Sequence, residues 1–178
     1  MKIDKTQEQW IKSVIREVAD FPKPGIGFKD LTTLFADPKA FGFVLDAMTE
    51  SARELNPTAI VGIEARGFIL APYIAQKLGV AFVPVRKPGK LPWQVERQSY
   101  ALEYGEDTVE MHKDAVGKDD RVVIIDDLMA TGGTACATKM LVQKVGATVV
   151  GAGFVIELGF LDGRKALGDT KVFSVITY

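Results

Sequence analysis

The stretch "RVVIIDDLMATGGTACA" (Arg121–Ala137) joins an apolar run, two adjacent acids and a loop of glycines and hydroxyls. Val122–Ile125 is β-branched and does not alternate with polar residues, which predicts a strand buried on both faces, as in a parallel sheet. Asp126 and Asp127 then fall at its carboxyl end. Two ionised carboxylates side by side are costly to bury, so they are expected to project into a polar crevice beyond the strand, where open α/β sheets bind ligands. The loop Ala130, Thr131, Gly132, Gly133 and Thr134 follows, and helix-compatible residues run from Ala135 to Val145.

Loop N–H groups at a helix start, the positive end of the helix dipole and two threonine hydroxyls make an anion site suited to phosphate. The acids just upstream repel phosphate but accept hydrogen bonds from vicinal ribose hydroxyls. A sugar phosphate bridges the two halves. The alternative is a strand ending in a solvated "DD" turn before a tight helix entry. A P-loop would require Ser or Thr after Gly-Lys, and neither Gly89-Lys90 nor Gly117-Lys118 has one. "GAGFVIELG" lacks the third glycine of a Rossmann fingerprint at the right spacing.

The 178 residues suit one domain with a sizeable core. Lys plus Arg (22) nearly balances Asp plus Glu (23), so there is no basic footprint for nucleic acid, and small-molecule partners are expected. A single cysteine, Cys136, and a single histidine, His112, allow neither an internal disulfide nor a thiol or imidazole metal cluster, in keeping with a reducing cytoplasm. Cys136 reads either as a small packing residue or as a reactive thiol beside the loop. The start "MKIDKTQEQW" has no apolar signal core and no stretch approaches a membrane span, so a cytoplasmic protein with no membrane partner is expected.

Trp10, Ile11, Val14, Ile15 and Val18 recur at helical spacing and predict a helix ending near Asp20, where "DFPKPGIGF" breaks it. Pro38–Leu55 reads as a second helix, stopped by Asn56-Pro57. "TAIVGIEARGF" gives a strand to Ile63, a loop and a helix from Phe68 to Leu78. "VAFVPVRK" reads as a further buried strand, "TVEMHKDAV" as an alternating one, and "ATVVGAGFVIEL" and "KVFSVITY" close the series. Alternating strands and helices predict an α/β fold with a mostly parallel twisted sheet flanked by helices.

Arg86–Ser99, "RKPGKLPWQVERQS", shows no convincing pattern and carries Arg86, Lys87, Lys90 and Arg97. A loop this long reads as a lid over an anionic ligand or as an ordinary solvated basic loop. "IEARGF" repeats the layout of the first motif, with Glu64 and Ala65 leading to Arg66 and a helix-opening glycine. Exposed N–H groups with a guanidinium suit a second phosphate cluster; Arg66 alone would more often be a surface ion-pair residue, but paired with the first motif at the same sheet edge the functional reading leads.

"VVIIDDLMATGGT" resembles the phosphoribosyl pyrophosphate motif of type I phosphoribosyltransferases. The resemblance implies that the two acids hold the ribose hydroxyls, the loop holds the 5′-phosphate, and Glu64, Ala65, Arg66, Arg86, Lys87 and Lys90 meet the pyrophosphate. "FPKPGIGFKD", "ARGF", "RKPGKLP" and "YALEYG" together resemble the adenine phosphoribosyltransferase family, from about Phe21 to the end of the sequence. That likeness implies an N-terminal helix and hood over about residues 1–35 and a lid over about 86–104. Phe28 would stack on adenine, Leu158 would cover its other face, and backbone groups of Gly27–Lys29 would read its edge. Glu103 matches an acid near the imidazole edge of the base and Tyr104 a hydroxyl near the reacting groups. With Arg66 and Lys87, Glu103 makes the expected catalytic set.

The implied reaction converts adenine and phosphoribosyl pyrophosphate to AMP and pyrophosphate in purine salvage, with Mg²⁺ held mainly by substrate oxygens. A homodimer is implied, Arg86 matching a residue that reaches toward the neighbouring site. Gly27 and Lys29 depart from the family, where a larger apolar residue and an arginine are common. The competing functions are transfer to another nucleobase and non-catalytic binding of phosphoribosyl pyrophosphate by a regulator, which would need a separate DNA-reading module.

Overall fold

A computed structural model of the chain describes residues 3–101 and 105–178. Helix α1 (Lys5–Val14) opens on a capping box: the Asp4 side chain accepts from Gln7 N–H while the Gln7 side chain accepts from Asp4 N–H. It ends earlier than the apolar spacing predicts, because Arg16–Val18 forms strand β1. This strand pairs antiparallel with β2 (Phe28–Asp30), Glu17 lying opposite Lys29 and Val18 opposite Phe28. Val14, Ile15 and Val18 are β-branched and fit either state, and a strand partner ten residues downstream decides for extension. The short helix α2 (Thr32–Phe35) follows, then α3 (Pro38–Arg53), capped by Asp37 accepting from Lys39 and Ala40 N–H.

The remaining elements are β3 (Ala59–Ile63), α4 (Gly67–Leu78), β4 (Ala81–Val85), β5 (Val95–Ala101), β6 (Glu106–His112), β7 (Arg121–Met129), α5 (Gly133–Lys144), β8 (Thr148–Glu157), α6 (Arg164–Leu167) and β9 (Val172–Thr177). Five strands make a parallel sheet in the order β4-β3-β7-β8-β9. Both faces are covered. Ile60, Val123, Ile125, Val155 and Ile176 pack into a core with Ile11, Met48 and Ile74 from the helices of one side, while Val61, Val122, Ile124 and Phe154 pack with Leu141, Val142, Val109 and Met111 on the other. The lack of alternation in β7 is thereby accounted for, since successive side chains enter different cores.

Three expectations need correction. β4 is an edge strand with Ala81 and Phe82 exposed, and is not buried throughout. The patternless stretch Arg86–Ser99 ends in the first five residues of β5, which pairs antiparallel with β6 in a two-stranded sheet separate from the main one. Finally, β7 runs on to Met129, so Asp126 and Asp127 lie within the strand and not beyond it. Among the described residues no helix is long and apolar enough to cross a membrane.

Candidate functional site

Strand order reverses between β3 and β7: the chain leaves β3 for β4 on one side and later returns to β7 on the other. Doubly wound sheets bind ligands at the carboxyl end of such a switch point. The two loops that emerge there are Glu64–Arg66 after β3 and Ala130–Gly132 after β7, the two motifs singled out by sequence. The Glu64–Ala65 peptide is cis.

The second loop is shaped by a backbone contact. Gly132 has φ +80° and a Cβ there would fall on the carbonyl oxygen of Gly163, while a Cβ on Gly163 would strike the Ala130 carbonyl. Two glycines let the strands of chain touch, and the loop is thereby pressed into its turn. Helix α5 starts at Gly133 with no side-chain cap, leaving its first N–H groups available to an anion. A cavity of about 100 Å³ lies against them, lined by Asp126, Thr131, Gly132, Gly133, Thr134 and Phe154 among others.

Asp126 lines that cavity and Asp127 faces the other loop. Asp127 is 4 % exposed, so it is a buried acid, where the sequence reading expected a crevice-facing one. What compensates it is Arg66, whose Nε lies 2.5 Å from Asp127 Oδ2. The contact is ionic: Asp127 Oδ2 is buried and receives no directed hydrogen bond within the described residues. Asp126 Oδ1 accepts the Asp127 N–H at 2.9 Å. Burial, then the adjacent Asp127 charge, pushes the Asp126 carboxyl well above its ordinary range. Gly67 stands close by, and a Cβ on it would lie 2.8 Å from the Ile125 carbonyl oxygen and 3.2 Å from Asp126 Oδ1.

Besides Arg66, the cations expected to meet pyrophosphate, Arg86, Lys87 and Lys90, are gathered by two carboxylates, Glu64 and Asp107. Glu64 accepts from Arg86 Nε at 3.3 Å, from the Lys87 N–H at 2.9 Å and from Lys90 Nζ. Burial alone would raise the Glu64 pKa, and the hydrogen bonds from Lys90, Lys87 and Arg86 reverse that and hold it below the usual carboxylate value. Lys87 Nζ meets Asp107 and lies 3.2 Å from the Tyr100 hydroxyl. Tyr100 in turn donates to Asp107 at 3.0 Å and receives a hydrogen bond from Thr134 of the phosphate loop at 3.1 Å.

Tyr100, Asp107 and Glu110 were missed by the sequence reading. Glu110 is 1 % exposed; its Oε2 accepts the Gly89 N–H at 3.0 Å and its Oε1 lies 2.6 Å from Arg97 Nε. The signal was cross-strand pairing, since Tyr100 lies opposite Asp107 and Arg97 opposite Glu110 in the β5–β6 register. Lys144 Nζ also donates to the Arg97 carbonyl at 2.7 Å, tying α5 to the hairpin.

In the hood, Phe28 packs edge-on to Phe21 with ring centroids 5.1 Å apart, and the Arg66 guanidinium lies 5.9 Å from the Phe28 centroid. Arg66 therefore joins Phe28 to Asp127. Leu158 follows β8 and donates its N–H to the Met129 carbonyl at 2.9 Å, which places it at the same sheet edge. Trp93 is 64 % exposed and Cys136 is a half-buried free thiol. Glu103 and Tyr104 lie outside the described residues.

A family model described as the phosphoribosyl transferase domain matches residues 33–176. A protein of Solibacter usitatus named adenine phosphoribosyltransferase is 57% identical over 168 residues, covering 94% of this chain and 97% of its own. The crystal structure of adenine phosphoribosyltransferase from Thermoanaerobacter pseudethanolicus is similar with a TM-score of 0.92 and 48% identity, covering 96% of this chain and 99% of that one. The Saccharomyces cerevisiae enzyme of the same name, solved with D-2,5-dideoxy-2,5-imino-altritol 1,6-bisphosphate and adenine, has a TM-score of 0.89 and 39% identity, covering 97% of this chain and 99% of that one.

The raised Asp126 pKa carries a stability consequence. Its folded value lies above the unfolded one, so ionisation disfavours the fold at neutral pH, and that penalty fades as pH falls through the window toward the ordinary carboxylate value of about 4. Asp126→Asn, which keeps the Oδ1 acceptor, is expected to melt above the parent at neutral pH, with the gain shrinking on acidification. Thermal melts across pH test this, and a gain of the same size at every pH would contradict it.

Proposed function

The chain belongs to the phosphoribosyl transferase domain family, and on that footing we propose that it transfers the phosphoribosyl group of phosphoribosyl pyrophosphate to adenine, giving AMP and pyrophosphate. The observation that carries this reading is the cavity where Asp126 faces the Thr131–Thr134 loop. Acceptors for sugar hydroxyls stand beside backbone donors for phosphate, a combination that a sugar phosphate satisfies and a free base or a bare phosphate does not.

In this reaction the bond from ribose C1 to pyrophosphate breaks, the bond from adenine N9 to C1 forms, and the N9 proton is released. Positive charge grows on the sugar and negative charge on the leaving group, so the site must serve both. Asp126 and Asp127 orient the ribose and place negative potential near it. Arg66, Arg86, Lys87 and Lys90 are held around Glu64, Asp107 and Asp127, and an entering pyrophosphate competes with these carboxylates for the same cations. Transfer of Arg66 from Asp127 to the leaving group frees Asp127 Oδ2 to accept a ribose hydroxyl. Phe28 and Leu158 cover the base, backbone groups of Gly27–Lys29 read its amino edge, and Glu103 accepts the N9 proton.

Mg²⁺ fits as an ion carried by substrate. Among the described residues no three His, Cys, Asp or Glu side chains converge into a cage, and the acids nearest the cavity are the Asp126–Asp127 pair. Carried in on substrate oxygens, Mg²⁺ would supply charge neutralisation for the leaving pyrophosphate, with Arg66, Arg86, Lys87 and Lys90 answering the remaining charge. A homodimer is part of the proposal: Phe82 of edge strand β4 and Ile69 of α4 are exposed apolar residues, and Phe68 packs edge-on to Phe82 at 6.0 Å with the Arg86 guanidinium 5.9 Å from its ring.

Pyrophosphate release from phosphoribosyl pyrophosphate, assayed with each base in turn, tests the function. Adenine is expected to support turnover with AMP as product, and a preference for a 6-oxopurine, uracil or orotate would overturn the assignment. Gly132→Val, at a left-handed position against the Gly163 carbonyl, is expected to abolish measurable binding of phosphoribosyl pyrophosphate in calorimetry, whereas unchanged affinity would remove the phosphate cradle. Light scattering at micromolar concentration should give twice the chain mass, and a fully active monomer would exclude the dimer.

A further inference from the structure

Tyr178 follows β9 and contacts residues adjacent in the chain to both expected covers of the base. Its N–H donates to the Glu157 carbonyl at 2.9 Å and its carbonyl accepts the Gly159 N–H at 2.9 Å, so Tyr178 brackets Leu158 on both sides. Leu158 itself is tied to the phosphate-loop strand through Met129. The Tyr178 ring points the other way along the molecule, to the hood. Lys29 Nζ lies 4.3 Å from its centroid, and Lys12 Nζ from α1 lies 5.0 Å from it.

Lys29 is the residue after Phe28, and its side chain is only 13 % exposed. Besides the Tyr178 ring it meets Glu17 Oε2 at 2.9 Å, the residue directly opposite in the hood hairpin. The other oxygen of that carboxylate occupies the space above Gly27, where a Cβ would come within 2.9 Å of it. The two departures from the family pattern thus meet at one side chain, Glu17. Lys29 is turned to the ring and to Glu17, and Gly27 makes room for the carboxylate that holds Lys29. A cation over an aromatic face is attracted by the ring quadrupole, most strongly where water is displaced, as at this largely covered ammonium.

We propose that Tyr178 is a positioning residue for base binding: through its ring it fixes Lys29 and hence Phe28, through its backbone it fixes Leu158, and it thereby sets the gap between the two covers of adenine. The proposal rests on the reading of Phe28 and Leu158 as those covers. It assigns Glu17, Lys29 and Tyr178 to base affinity, with no part in binding phosphoribosyl pyrophosphate, whose loops lie across the switch point.

Steady-state kinetics on Tyr178→Phe, Tyr178→Leu, Lys29→Met and the Lys29→Met/Tyr178→Leu double variant test this, with amide exchange at residues 27–29 as the second readout. Tyr178→Phe keeps the ring and should leave KM for adenine within about twofold, while Tyr178→Leu and Lys29→Met should each raise it roughly five- to tenfold with KM for phosphoribosyl pyrophosphate nearly unchanged. The double variant should be no worse than the worse single one, because both remove the same contact. Hood amides should exchange faster in Tyr178→Leu than in Tyr178→Phe. An unchanged adenine KM in Tyr178→Leu, parallel rises in both KM values, or multiplying effects in the double variant would overturn the proposal. Failure of the wild type to use adenine would instead overturn the functional reading, and the exchange comparison would still judge the brace. Should Tyr178→Leu not fold, Lys29→Met reads the same contact from its other side.

Discussion

The ion contact between Arg66 and Asp127 crosses the point where strand order reverses, and much of the site depends on it. A parallel strand covered on both faces can carry acids at its end only if something answers their charge. Arg66 supplies that answer from the neighbouring loop, on the helix start that Gly67 brings against Ile125 and Asp126. The same guanidinium lies over Phe28. One side chain therefore connects the acids expected to hold the ribose, the loop expected to meet pyrophosphate and the cover expected over the base. Among the described residues Asp126 makes no comparable ion contact, and burial, then the neighbouring Asp127 charge, raises its pKa.

The opposing charges around Glu64 and Asp107 follow a similar logic. Four cations close together would repel one another across the mouth of the sheet, and here each is matched to a carboxylate from the loop after β3, from β6 or from β7. Under the proposed function, substrate phosphates would enter by exchange of partners, which keeps the uncompensated charge small at each stage. The pairing also fastens the Arg86–Lys90 segment to the sheet and, through Tyr100 and Thr134, to the phosphate loop.

Much of this was legible in the residues. The β-branched runs of β3, β7 and β8 announce strands buried on both faces, and the loop chemistry after Ile63 and Met129 locates the ligand edge. What the sequence reading missed depends on partners distant along the chain. Arg16–Val18 is a strand only because Phe28–Asp30 lies beside it. Val95–Ala101 mixes charged and polar residues and shows its strand character only against β6. The burial of Asp127 was hidden for the same reason: a lone pair of acids reads as solvent-facing until a guanidinium from another loop is placed on it. Lys29 is the converse case, a residue whose departure from the family pattern is explained only by Glu17 and Tyr178 around it.

The contact between Gly132 and Gly163 bears on what counts as the motif. Written as text, the phosphate loop is a contiguous string ending at Thr134. In space it has a second half, the turn before α6, whose backbone supplies the wall against which the loop is pressed. Grafting the string alone onto another parallel sheet would transfer the donors without the surface that holds their spacing. The transplantable unit is a pair of segments that meet only after folding, and an engineer would need to carry both.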